Sequence, residues 1–487
     1  MTKVLFVAAE AVPFAKTGGL GDVIGSLPKE LRQKGLDVRV ILPKYQDIPA
    51  SFQEQMTLKA EFTVPVGWRQ QYCGIYMLEY QGITFYFVDN EYYFKRHGFY
   101  GYGDDAERFA FFSRAVLEGL DKIDFMPEVL HCHDWHAAVV PVLLKANYAE
   151  RPEYQGVKTV FTVHNLRYQG VFPQVVMADI LGLEWQYFQP DGLEFFDAVN
   201  YMKGGLAYAD RITTVSRTYA QEIQDPFYGE QLDGLLRKRR EDLSGITNGI
   251  DYDDYNPAVD KALFVNYDAS CIEKRRENKS KLQQQLKLPV KDVPLIAVVS
   301  RLVGPKGMDL VEYALNDMVK HLRQTGQEKY GVQFVVVGTG EARYENFFKY
   351  LAWQFPGKLS ANIIFDDRLA RQVYAGADLF LMPSLYEPCG IGQLIAMRYG
   401  CLPIVRETGG LKDTVTPYNS HTGEGTGFSF ANYNAHELME TMERALELYE
   451  DRPTWEKIIK NAMQRNFSWQ ESARQYQEVY AEIAGKK

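Results

Sequence analysis

A chain of 487 residues with 46% hydrophobic and 24% charged residues can bury cores for two or three domains, which excludes general disorder. A net charge of −9 offers no basic field to nucleic acid or an anionic membrane, so neither is an expected partner. Aromatic residues reach 14%, enough to line a site for flat ligands such as sugars or bases, though most belong in the core.

In chain order, Lys3–Ala8 reads as a strand. The apolar run from Val4 ends at Glu10, too short for a signal peptide, and no stretch approaches the ~18 apolar residues of a membrane span. The five cysteines (Cys73, Cys132, Cys271, Cys389, Cys401) form no CxxC pair and suggest a reducing, cytoplasmic setting. A loop ending in Lys16-Thr17-Gly18-Gly19 leads into a helix with Leu20, Val23, Ile24, Leu27 and Leu31 on one face. Pro28 is expected to kink or split that helix, and Gly35 to stop it before a strand at Asp37–Leu42. This βαβ unit predicts a parallel sheet with ligands at the carboxyl ends of its strands.

Further short buried strands are predicted at Thr84–Val88, Val129–Cys132, Thr159–Val163 and Arg211–Val215. After a turn-rich stretch from Asn248 to Pro257 and a polar helix at Ile272–Leu286, a second series opens. It comprises Pro294–Ser300, Gln333–Val337, Asn362–Phe365, Leu379–Met382 and Leu402–Val405. The fold class is therefore α/β, with two parallel-sheet domains, 1–255 and 256–468, facing a cleft.

Chemistry concentrates where strands end. Glycine pairs at Gly18-Gly19 and Gly409-Gly410 precede helices in the two halves, a device that lets backbone N–H groups approach an anion. Arg301 and Lys306 lie in the loop after a strongly apolar strand and can converge on a diphosphate. Glu387 ends another strand, beside Cys389, Gly390, Ile391 and Gly392. The run His131-Cys132-His133-Asp134-Trp135-His136 looks superficially like a zinc cluster, but a strand sends alternate side chains to opposite faces, so no metal is assigned. Asp134, Trp135 and His136, with His164 and Asn165 at the next strand end, read better as contacts to a hydroxylated substrate. The basic run Arg237–Arg240 is flanked by acids and reads as a solvated helix face.

These motifs in register resemble the starch and bacterial glycogen synthase family of retaining glucosyltransferases: KTGGLGDV at 16–23, HDWHA at 133–137, TVHN at 162–165, NGID at 248–251, SRL and KG within 300–307, EPCG at 387–390 and TGGL at 408–411. The resemblance covers essentially the whole chain. It implies the GT-B architecture of two Rossmann-like domains, with a C-terminal helix, at about Trp469–Ile483 within 469–487, returning to the first. It also implies ADP-glucose as donor, an α-1,4-glucan such as glycogen or a maltooligosaccharide as acceptor, and no metal or other cofactor.

By the same resemblance Lys16, Gly18 and Gly19 contact the donor's diphosphate, as do Arg301 and Lys306. Phe365 stands where an aromatic residue stacks on adenine; Glu387, Cys389, Gly390, Ile391 and Gly392 hold the glucose and phosphates; Thr408, Gly409, Gly410 and Leu411 cap the diphosphate. Asp134, Trp135, His164, Asn165 and Asn248 line the sugar and acceptor side, and Glu387, Arg301, Lys306 and His164 are the catalytic candidates. The family usually reads EPCGLTQ where this chain has EPCGIGQ, so Gly392 replaces a hydroxyl-bearing residue, and DYNP at 254–257 replaces the usual DxWNP. The missing hydroxyl removes a phosphate hydrogen bond of about 1.5–3 kcal/mol. Rival readings are a glucosyltransferase of the same architecture using UDP-glucose or making a small disaccharide, and a catalytically weak glucan-binding regulator.

Overall fold

The computed structural model describes residues 1–485. Two compact units emerge: residues 1–248 with the C-terminal segment from Trp469, and residues 249–468. The turn-rich segment belongs to the second unit because Arg371 grips it there. Its guanidinium donates to both carboxylate oxygens of Asp254 at 2.9 and 3.0 Å and lies 4.5 Å from the Tyr255 ring.

The first unit is built on a nine-stranded sheet in the order β12-β11-β7-β6-β1-β2-β5-β4-β3. Its strands are β1 (Lys3–Val7), β2 (Asp37–Pro43), β3 (Thr57–Val66), β4 (Arg69–Tyr80), β5 (Ile83–Asp89), β6 (Val129–His133), β7 (Lys158–Val163), β11 (Arg211–Thr214) and β12 (Leu243–Gly245). The remaining short strands, β8 (Val171–Pro173), β9 (Glu194–Phe195) and β10 (Ala198–Asn200), form a small separate sheet. From β12 to β5 the pairing is parallel, and β5, β4 and β3 continue antiparallel. Helices cover both faces of the parallel part, so β6 is buried at every position and β1 at all but its first, where Val4–Val7 reads as a continuous apolar run. The β3–β4 hairpin went unpredicted because its outer strand alternates exposed and half-buried residues and offers no such run.

The helix Gly19–Gln33 runs uninterrupted through Pro28, contrary to the expected break. Leu20, Val23, Ile24, Leu27 and Leu31 are all buried, and that apolar face outweighs the one backbone bond proline removes. The helix Trp469–Ile483 belongs to this unit: it packs on Gly19–Gln33, Ser472 donates to the Thr247 carbonyl at 2.6 Å, and Tyr480 meets His131 at 2.7 Å.

The second unit has a six-stranded parallel sheet in the order β15-β14-β13-β16-β17-β18. Its strands are β13 (Leu295–Val299), β14 (Gln333–Val337), β15 (Leu359–Asn362), β16 (Leu379–Met382), β17 (Leu402–Arg406) and β18 (Phe428–Phe430). β15 lies three residues earlier than the expected Asn362–Phe365, so Phe365 falls in the following loop. Leu359 pairs opposite Phe334 and is buried, whereas Ile364 and Phe365 are exposed; burial, not β-propensity, chose the strand.

In both sheets the chain winds outward one way and then the other. The reversal lies between β1 and β6 in the first unit and between β13 and β16 in the second. Loops leaving adjacent strands at such a point diverge, opening a crevice at the carboxyl ends. Among the described residues no helix is long and apolar enough to cross a membrane.

Candidate active site

In the second unit the three motif-bearing loops follow β13 and β16, which flank the reversal, and β17 beside them. They are fastened to one another by backbone. The Leu385 N–H donates to the Pro305 carbonyl at 2.9 Å, and Gly307, at φ +76°, comes so close that a Cβ would stand 2.1 Å from the Pro383 oxygen. Gly409, at φ +44°, and Gly410 approach the Glu387 and Cys389 carbonyls in the same way, with hypothetical Cβ distances of 2.0 and 2.1 Å. Any side chain there would push the two loops apart. Buried Arg406 donates from Nε to the Ser384 carbonyl at 2.9 Å and from Nη2 to the Leu385 carbonyl. Gln393, fully buried, donates to the carbonyls of Cys389 and Gly390, each at 3.1 Å.

On this frame Lys306 Nζ donates to Glu387 Oε2 at 2.6 Å, and Ser384 Oγ donates to the same oxygen at 3.1 Å. Glu387 is buried, and with both bonds on Oε2 its Oε1 is the oxygen available to accept from a ligand hydroxyl. Arg301 is exposed in the same loop as Lys306. Gly390 takes φ +74° at the turn, and Ile391 and Gly392 open the helix Gly392–Arg398. Phe365 is 90% exposed in the loop after β15. One expectation needs correction: the Gly410 N–H is not free for a phosphate, because it donates to the Glu387 carbonyl at 3.1 Å. Thr408 is fully buried and caps the helix Gly409–Thr414. The N–H of Leu411 returns to the Thr408 carbonyl, so this turn acts chiefly as a buttress.

In the first unit the Lys16–Gly19 loop follows β1 and is clasped by Glu10. The Glu10 carboxylate accepts from the Thr17 N–H and hydroxyl, both at 2.6 Å, from the Gly18 N–H at 3.2 Å and from Tyr100 at 2.7 Å. Gly19 begins the helix, and Lys16 pairs with Asp22 at 2.7 Å at its edge.

The loop after β6 turns at Asp134, whose φ of +55° bends the chain so that its carboxylate accepts from the His164 N–H at 2.8 Å. Burial pushes the Asp134 carboxyl up to about 7, opposed by the N–H groups of His164 and Asn165 and aided by Glu10. His164 sits at the end of β7, and burial holds its imidazole down to about 3. Asn165 lies beside it, and Asn248 is buried with a side-chain oxygen that has no partner among the described residues. Trp135 is 8% exposed and packs against Phe109 at 5.0 Å and Phe172 at 5.8 Å. His136 is likewise buried, against Tyr100 at 4.3 Å, with neither ring nitrogen bonded to a partner among the described residues. His131 and His133 share one face of β6 and bond to Tyr480, Thr162 and His164.

Two groups that shape the site carry no local signature: Tyr100 and Arg406 act through bonds to residues distant in sequence. Glu10 and Ser384 act on residues within eight and three positions of themselves. The Gly338–Gly340 turn after β14, joined to Leu302 by the Thr339 carbonyl at 2.9 Å, was legible as a glycine-rich strand-to-helix loop and passed over.

Two α/β units, each with motif-bearing loops at the carboxyl ends of strands beside a strand-order reversal, have the two-Rossmann architecture of the GT-B class. The family model described as starch synthase catalytic domain matches residues 3–238, and that described as glycosyl transferases group 1 matches 278–465. The glycogen synthase of Desulforamulus reducens is 54% identical over 482 residues, covering 99% of this chain and 98% of its own. That of Caldicellulosiruptor saccharolyticus is 55% identical and covers 99% of each. The catalytic domain of starch synthase IV from Arabidopsis thaliana, solved bound to ADP and acarbose, superposes with a TM-score of 0.90 at 34% identity, covering 99% of both chains. The chain belongs to the glycogen and starch synthase family.

Proposed function

We propose that the chain transfers glucose, with retention at C1, from ADP-glucose to the non-reducing 4-hydroxyl of an α-1,4-glucan. The carrying observation is the Lys306–Glu387 pair, seated where the loops after β13 and β16 are locked together at the strand-order reversal. The ADP and acarbose bound to the Arabidopsis relative support both halves of the reading.

In the reaction the C1–O bond to the β-phosphate breaks, and the acceptor 4-oxygen bonds C1 from the face the diphosphate leaves. The hydroxyl proton passes to the departing phosphate oxygen. Negative charge grows on the diphosphate while positive charge grows on the sugar, so preorganised cations lower the barrier. Arg301, Lys306 and Lys16 supply that potential, and no metal is required. Glu387 positions glucose hydroxyls through Oε1, and Phe365 stacks on the adenine. Asp134, His164, Asn165 and Asn248 serve the sugar and acceptor side. The five cysteines, four of them buried, form no disulfide among the described residues, which fits a reducing cytoplasm.

The test is incorporation of labelled glucose into glycogen from ADP-glucose and from UDP-glucose, each with and without EDTA. Efficient transfer from ADP-glucose, insensitive to chelator, is expected. Preference for UDP-glucose, or loss of turnover in EDTA restored by Mg²⁺, overturns the corresponding part.

A further inference from the structure

His131 and His133, two residues apart on β6, are both wholly buried on the same face of the sheet, yet their ring nitrogens are used differently. His131 has a partner for each: Nδ1 meets the Tyr480 hydroxyl at 2.7 Å and Nε2 the Thr162 hydroxyl at 2.6 Å. His133 has one. Its Nδ1 lies 3.0 Å from Nε2 of His164, while its Nε2 is buried with no partner among the described residues. The ring is held in place by Phe6, stacked at 5.2 Å and 12°, and by the His131 ring at 4.0 Å.

We propose that His133 is a positioning residue that donates from Nδ1 to His164 and so fixes His164 in the tautomer with its proton on Nδ1. Two facing imidazole nitrogens bond only if one carries hydrogen and the other a lone pair. Burial keeps both rings neutral, so each has a single proton to place. If His164 donated from Nε2, the His133 proton would be confined to its own Nε2, a buried N–H with nothing to bond. The reverse arrangement leaves only a bare lone pair there, and an orphaned acceptor is tolerated more readily than an orphaned donor. With Nε2 committed to accepting, Nδ1–H is what the partly exposed His164 offers a ligand, so it meets a sugar hydroxyl as a donor. This role rests on the proposed glucosyl transfer; the proton placement does not.

The test uses the full-length protein labelled with ¹⁵N-histidine, whose eight histidines are read by long-range ¹H–¹⁵N correlation. His164→Gln and His133→Asn identify the two signals. Both rings should carry their proton on Nδ1 at neutral pH; a proton on Nε2 of either overturns the proposal. His133→Asn keeps an N–H near the Nδ1 position and should hold kcat within about twofold, with the His164 pattern unchanged. His133→Leu should move the His164 proton toward Nε2 and lower kcat about tenfold, the scale of one misdirected hydrogen bond, with the KM for ADP-glucose nearly constant. An unaltered tautomer and kcat in His133→Leu refute it. Should that variant not fold, the wild-type spectrum and His133→Asn decide. A wild type that transfers no glucose refutes the function and leaves the tautomer still readable.

Discussion

Gly392 opens its helix where the family resemblance implies a hydroxyl, and the interior leaves little room for a side chain. A Cβ there would lie 3.1 Å from Cζ and 3.3 Å from Cε1 of Phe380, and 3.5 Å from the Tyr374 hydroxyl. Both rings are buried, so neither has solvent to move into. One methyl would displace Phe380 by a few tenths of an ångström. The two further heavy atoms of threonine overpack the site, at about 1–3 kcal/mol. In a unit of this size that loss lowers Tm by about 2–12 °C. Phe380→Leu removes the ring atoms in the way, so Gly392→Thr/Phe380→Leu should be more stable than the two single changes predict, by at least about 1 kcal/mol. Once accommodated, the hydroxyl gains a phosphate hydrogen bond of about 1.5–3 kcal/mol, so the KM for ADP-glucose should fall roughly tenfold or more. Thermal and urea melts of the four proteins close the cycle, and initial rates give the KM. A Gly392→Thr protein as stable as wild type, or effects additive within about 0.5 kcal/mol, would refute the packing reasoning.

Three further outcomes are expected. Lys306→Ala strands the buried Glu387 carboxylate and should cost about 2–3 kcal/mol in a urea melt; Lys306→Ala/Glu387→Gln should recover most of that stability while turnover stays at least about 100-fold down. Recovery of both together would show the pair to be structural. Asp134, with its pKa raised to about 7, is protonated in the folded state where the unfolded chain is ionised, so its contribution to stability falls as pH rises from about 4 to 7. Because half-buried His164 changes stability in the opposite sense below about 6.5, the measurement is the difference between wild type and Asp134→Asn. It should move by about 1–3 kcal/mol across that window, allowing for partial solvation; a constant difference rejects the shift. Phe365→Ala should leave Tm unchanged, since the ring is 90% exposed, and raise the KM for ADP-glucose about 5- to 100-fold, the range for one base on an aromatic ring. An unchanged KM removes Phe365 from the donor site.

Much of this molecule was legible before any coordinates. Runs such as Val4–Val7 and Leu295–Val298 are buried on both faces, and that leaves a continuous apolar signature. The helix Trp469–Ile483 was bounded correctly, though through resemblance rather than periodicity. Other elements were hidden for physical reasons. The β3–β4 hairpin lies at a sheet edge, where its outer strand mixes exposed and half-buried residues and forms no continuous apolar run. β15 was displaced because Ile363, Ile364 and Phe365 look more strand-like than Leu359–Asn362, and only pairing with β14 discriminates between them.

By itself the amino-acid order determined the class of fold, the glycine-rich and charged loops at strand ends, and the chemistry those loops invite. All of these follow from interactions within a few residues, which a local pattern records. Only the tertiary structure decided which loops meet. Lys306 and Glu387, 81 residues apart, become an ion pair because β13 and β16 are neighbours. His133 and His164, 31 residues apart, face each other because β6 and β7 pair in a register that sets His133 opposite Thr162. Strand order and register are fixed by burial summed over a whole sheet, and no segment of sequence carries that sum.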